Sequence, residues 1–106
     1  MDSPNLRGLG RFSEPALLIL TSLAAGPQHG DAIGEDEAQL SGTRLGPGTL
    51  YGALARLERR GLVEPLGSAD RRKPYRLTAA GATALEERLR NLEGFARTGL
   101  GRLATT

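Results

Sequence analysis

Apolar residues recur along this chain with several rhythms, and each change of rhythm marks an element. Leu17, Leu20, Leu23 and Ala24 lie at helical spacing. With Ser13 as N-cap and Glu14 and Pro15 in the first turn, they predict a helix over about 14–25, stopped by Gly26-Pro27. A turn at His29-Gly30 leads into a second predicted helix, Asp31 to Leu40, ended by Ser41-Gly42-Thr43. Its charged residues Asp31, Glu35, Asp36 and Glu37 read as a solvated acidic face near a helix N-terminus, the alternative being a metal or acid–base cluster.

The third pattern is the most informative. Pro47 opens a helix that runs to Arg60 and is closed by Gly61. At about 100° per residue, Leu50, Ala53, Leu54 and Leu57 share one face. The opposite face carries Gly48, Gly52, Ala55, Arg56 and Arg59, with Thr49 and Tyr51 flanking it. Small residues admit close approach of a partner and the arginines set charge beside it, which suits a major groove of DNA.

Two loosely alternating runs follow, residues 62–66 and 72–77, joined by the turn-forming stretch 67–71. Their prolines confine them to a small edge-like hairpin. The hairpin's tip and second strand carry Arg71, Arg72, Lys73 and Arg76. Thr78 then caps a long final helix on which Leu85, Leu89, Leu92, Ala96, Gly99 and Leu103 alternate spacings of four and three, the seam of a coiled-coil pairing. A second copy of the chain is the natural partner for so narrow a stripe, aided by Leu17 on the first helix. Gly94, Gly99 and Gly101 each lower helix propensity by ~1 kcal/mol relative to Ala, so the helix is expected to fray after about residue 98.

The expected fold is mostly α with a small β-hairpin: a winged helix-turn-helix plus one long C-terminal dimerisation helix. It divides into a flexible N-terminal arm (1–12), a winged helix-turn-helix domain (13–77) and the dimerisation helix (78–106).

Composition narrows the chemistry. The 106 residues suit a single domain and contain no Cys, no Trp and one His. That removes thiolate catalysis, Cys-based zinc sites and His-rich metal sites. His29 has no nucleophile or partner constellation, and Gly46-Pro47-Gly48 lacks the lysine of a phosphate-binding loop. No catalytic residue, metal or cofactor is expected. The apolar run 16–25 is too short for the ~20 residues of a membrane span. It has features of a signal-peptide core, but Glu14 and Pro15 at its edge favour a buried helix in a cytoplasmic protein.

The net charge of +2 conceals a gradient: residues 41–76 hold seven Arg and one Lys against three acids, whereas residues 1–40 hold two Arg against six acids. A basic middle third points to a local anion site. Arginine outnumbers lysine 13 to 1, which suits forked phosphate and guanine contacts and equally a GC-rich genome.

The stretch from Gly48-Thr49-Leu50-Tyr51-Gly52 through Arg60-Gly61-Leu62-Val63-Glu64 resembles the recognition-helix signature of PadR-type transcriptional regulators. The segments Leu23-Ala24-Ala25-Gly26-Pro27-Gln28-His29-Gly30 before it and Arg72-Lys73-Pro74-Tyr75-Arg76-Leu77-Thr78-Ala79-Ala80-Gly81 after it are similar to that family too, over about residues 16–92. The single C-terminal helix resembles the short-tailed branch. The resemblance implies a homodimer on a palindromic operator, usually a repressor released by a small molecule. Asp31 departs from it, since the family usually has an aromatic after the His-Gly pair. The absence of Trp removes the stacked-ligand mode of some short-tailed members, whose matching position here is Leu92.

The expected double-stranded DNA contacts are Thr49, Tyr51, Gly52, Arg56, Arg59, Arg71, Arg72 and Lys73. The alternatives are core packing for Tyr51, capping for Thr49, and a solvated face paired with Glu58 or Glu64 for Arg56 and Arg59. The expected dimer interface is Leu17, Leu85, Leu89, Leu92 and Ala96. Between the two copies, Leu18, Leu89 and Leu92 either line a pocket for a small hydrophobic effector or close on each other. Against the operator-binding repressor stands a protein-interaction or antirepressor module on the same scaffold; the basic middle third is what such a module has no need of.

Overall fold

The computed structural model describes residues 14–42, 44–67 and 73–105. The expected arm, the Ser13 cap, Thr43, and the wing residues Arg71 and Arg72 lie outside the described residues. The elements are α1 (Pro15–Leu23), β1 (Gln28–His29), α2 (Gly30–Ser41), α3 (Pro47–Arg59), β2 (Val63–Pro65), β3 (Pro74–Leu77) and α4 (Ala79–Ala104).

The helix α1 is the hub, because its sequence is apolar nearly all round. Leu17, Leu18, Ile19, Leu20, Ser22 and Leu23 are all buried in it, as expected of a helix packed on several sides. Ile19, Ile33 of α2, Leu54 of α3 and Val63 of β2 form the most completely buried part of the core. Ser22, the one hydroxyl buried there, accepts from Gln28 Nε2 at 3.0 Å, and its carbonyl accepts from the same group at 2.7 Å. A buried polar group is thereby satisfied, as it must be in a core of leucines.

The apolar face of α3 is the expected one: Leu50, Ala53, Leu54 and Leu57 are buried. Gly42 and Gly61 end α2 and α3 in the left-handed conformation, with φ of 77° and 75°. Thr78 caps α4, its hydroxyl accepting from the Gly81 amide at 3.0 Å and donating to the Gly61 carbonyl at 2.6 Å. One side chain thus joins the end of α3 to the start of α4.

Four expectations need correction. The His29-Gly30 turn is instead the end of a strand and the start of a helix. Gln28 pairs with Tyr75 and His29 with Pro74, so the hairpin becomes a three-stranded antiparallel sheet of order β1-β3-β2. Two residues are too few to show alternation, and only the edge offered by β3 makes them a strand. The helix α1 stops at Leu23, short of residue 25, with Ala24 as its C-cap.

Glu37 does not belong to the solvated acidic face. It follows Gly30, Ile33 and Gly34 at helical spacing and is fully buried with them. Neither carboxylate oxygen has a hydrogen-bond partner among the described residues. Burial pushes this carboxyl above its ordinary pKa, and the nearby backbone amide of Leu45 offsets part of the shift.

Finally, α4, expected to fray after about residue 98, is helical as far as Ala104. Pairs one turn apart, Glu86–Arg90 at 2.8 Å and Glu93–Arg97 at 3.5 Å, support it. The Thr105 amide and hydroxyl close it by donating to the Arg102 carbonyl.

Candidate nucleic-acid interface

The outward face of α3 is assembled by subtraction: everything apolar and large points inward, and what remains is small, hydroxylic or cationic. Thr49, Tyr51, Ala55, Arg56 and Arg59 are exposed, and Gly52 is half-buried. Arg56 folds back along its own helix, its guanidinium lying 3.9 Å from where a β-carbon of Gly52 would stand. Glu64, weighed as a partner for these arginines, is taken by Arg76 across the β2–β3 ladder at 2.6 Å. Neither Arg56 nor Arg59 makes an ion pair among the described residues.

Tyr51 is 45% exposed. Its ring rests on Gly30, the first residue of α2, and its hydroxyl donates to Asp31 Oδ1 at 3.3 Å. The pairing of His29 with Pro74 brings their chain neighbours Gly30 and Lys73 to the same end of the β1–β3 ladder. The base of the wing, the start of α2 and the start of α3 therefore meet on one side of the molecule. Lys73 Nζ stands 6.0 Å from the centroid of the Tyr75 ring, at the outer limit of a cation–π contact.

One cation escaped the sequence reading. Arg44, in the turn between α2 and α3, is exposed and pairs with Glu35 at 3.2 Å. A surface pair of this kind contributes ~0–1 kcal/mol, so it is easily exchanged. The turn itself was the available signal, since it delivers whatever it carries to the N-terminal end of α3.

The residues expected at a dimer interface separate into two groups. Leu17 and Leu85 are buried in the protomer's own core, at 8% and 5% exposure. Leu92 is half-buried against that core. Leu89 and Ala96 are exposed, and so are Phe95, Leu100 and Leu103, at 74%, 68% and 70%. By helical phase, Phe95 and Leu100 fall on either side of the expected seam, so the exposed apolar surface of α4 is wider than that stripe. The start of α4 is held against α1 by Arg88, which donates to Glu14 at 2.9 Å.

The effector pocket expected from Leu18, Leu89 and Leu92 lies between two copies, whereas the protomer by itself shows an open groove that shares only Leu89 with it. This groove of about 580 Å³ runs beside α4 over Ala24, Leu77, Leu85 and Leu89, and its lining includes neither Leu18 nor Leu92. Glu86, Arg90 and Glu93 also line it, so the groove of the protomer has an apolar floor and a charged rim. Among the described residues no helix is long and apolar enough to cross a membrane.

A winged helix-turn-helix with a small cationic outward face on its third helix is the architecture of a transcription regulator. The chain belongs to the PadR-like family of transcriptional regulators, whose pattern matches residues 19–87. That is a family of regulators and not of enzymes.

A named relative and a solved structure agree with this. The chain is 41% identical to a transcriptional regulator of Mycobacterium tuberculosis over 88 residues, covering 80% of this chain and 81% of that one. It is 53% identical over 76 residues, 72% of its length, to an uncharacterized 37.1 kDa protein in transposon Tn4556 of Streptomyces fradiae, of which it spans only 22%. The crystal structure of a PadR family transcription regulator from Clostridium difficile superposes with a TM-score of 0.71 at 26% identity, covering 84% of this chain and 97% of the other.

Proposed function

We propose that the protein is a repressor of transcription that binds a palindromic operator as a homodimer in the cytoplasm. In this reading residues 13–77 hold DNA and residues 78–106 hold the second copy. The helix α3 enters the major groove. Thr49 and Tyr51 meet phosphate, Gly52 lets the backbone approach, and Arg56 and Arg59 reach base edges or clamp phosphate. Lys73, Arg71 and Arg72 of the wing, and Arg44 of the turn, hold the flanking backbone.

The observation that carries the reading is the division of α3 into a buried leucine face and an exposed face of Thr49, Tyr51, Arg56 and Arg59 beside the base of the wing. The exposed apolar residues of α4 support the dimer: one copy leaves Leu89, Phe95, Leu100 and Leu103 in water. Two copies pairing these helices bury them, and two-fold symmetry in the protein asks for a palindrome in the DNA. In the dimer, the apolar floor of the groove beside Leu89 is the place for a small hydrophobic effector, and titrating such compounds should shift operator affinity.

Selection of bound sequences from random duplex DNA tests the reading. A palindrome is the expected product. With about 6–10 phosphate contacts per dimer, the log–log salt dependence of binding should have a slope of roughly −5 to −9. No enrichment, together with a salt slope near zero, would instead favour a protein-interaction module.

A further inference from the structure

Tyr51, on the DNA-facing helix, is engaged by an acid from another element, Asp31 of α2. Asp31 is exposed and lies in the first turn of α2, after the N-cap His29 and Gly30. The first-turn amides of a helix lack intrahelical acceptors and, with the helix dipole, favour an anion there. They are also groups on which a DNA phosphate docks. The Tyr51 hydroxyl, a natural phosphate donor on α3, already donates to Asp31 Oδ1. The hydroxyl that would receive a phosphate is thus engaged by a carboxylate that stands in the first turn of α2, with Gly30 beneath the Tyr51 ring allowing the close approach.

We propose that Asp31 is an internal competitor for a DNA phosphate, which sets how strongly the protein holds DNA irrespective of sequence. This rests on the DNA-binding reading above. Without DNA, Asp31 holds the Tyr51 hydroxyl and complements the start of α2. A backbone phosphate that docks there has to take over the hydroxyl and stand beside the ionised carboxylate. At about 5 Å, that repulsion weakens binding roughly fourfold per subunit even at the dielectric of water, and more near a protein surface. Binding is attenuated at one place on the interface while the base-reading face of α3 is untouched.

The test uses the full chain with Asp31→Asn, which keeps the size and an acceptor for the Tyr51 hydroxyl but removes the charge, and with Asp31→Glu, which keeps the charge. Affinities are measured for a random duplex and for the selected operator across a salt series. Asp31→Asn should tighten both by the same factor, roughly fourfold per subunit and so about sixteenfold for the dimer at low salt, with the gain shrinking as salt screens it. Asp31→Glu should stay closer to the wild type than Asp31→Asn does. If the wild type binds DNA but Asp31→Asn binds the random duplex no tighter, or more weakly, Asp31 is only a cap and the proposal falls alone. If the wild type binds no duplex at any salt, the DNA-binding reading falls and takes this role with it.

Discussion

The Tyr51 ring lies against the Cα of Gly30 so closely that a β-carbon at position 30 would meet Cε1 at 2.6 Å and Cζ at 2.7 Å. This contact fixes the start of α3 against the start of α2, and it needs glycine for space, not for an unusual backbone. Because Tyr51 is at the surface, its ring has somewhere to go.

Gly30→Ala should therefore expel the ring toward solvent at a modest cost, about 1 kcal/mol, at the low end of overpacked sites. The hydrogen bond to Asp31 should be lost with it, and DNA affinity should fall by more than the stability does. Thermal unfolding and operator titration on the same preparation check this; unchanged affinity would mean that Tyr51 is not held in place for DNA.

Gly81 is the contrasting case. A β-carbon there would collide with the Leu62 backbone carbonyl and meet its carbon at 2.9 Å. Backbone cannot swing aside as a surface ring can, and the same place holds the Thr78 cap of α4. Gly81→Ala should cost about 3 kcal/mol or more, read as a fall in the denaturant midpoint.

Glu37 predicts a pH dependence. A carboxyl whose pKa is higher in the folded than in the unfolded chain adds stability that is fully present below the unfolded value, ordinarily 4.5. That contribution is lost as pH rises through the raised, folded value. Glu37→Gln should remove this dependence, so its stability relative to the wild type should increase from pH 4 to pH 8. Glu37→Met, which fills similar space without a charge, should stabilise the protein at neutral pH by about 1–3 kcal/mol. A difference that is flat with pH would show that the carboxylate finds a partner when ionised.

Substitutions along α4 should separate folding from pairing. Leu103→Asp falls at a position 70% exposed in the protomer, so it should leave the fold intact and weaken the dimer. Each leucine buried between copies contributes about 1.5–3 kcal/mol. Leu85→Asp, in the protomer core, should unfold the chain. Sedimentation and circular dichroism distinguish the two, and a Leu103→Asp protein that remains a tight dimer would exclude this seam.

Local chemistry was enough to read the order of helices, their stops at Gly42 and Gly61, the Thr78 cap and the two faces of α3. Each depends on residues within a turn or two of one another, and periodicity registers such relations directly. The outward positions of Thr49, Tyr51, Arg56 and Arg59 followed from the same count. Glu37 is legible in principle, four residues after Ile33 on the buried face, but a charged residue within an acidic run reads as solvated.

What the tertiary structure alone decided depends on partners distant in the chain. The pair Gln28–His29 becomes a strand because β3 lies beside it, and Leu17 and Leu85 are buried because α4 folds back onto α1. Tyr51 meets Gly30 and Asp31 across some twenty residues, a distance that no periodicity spans. A sequence pattern records which face of an element is apolar; which element covers that face, and which polar groups are brought together at its edge, is decided only when the chain closes on itself.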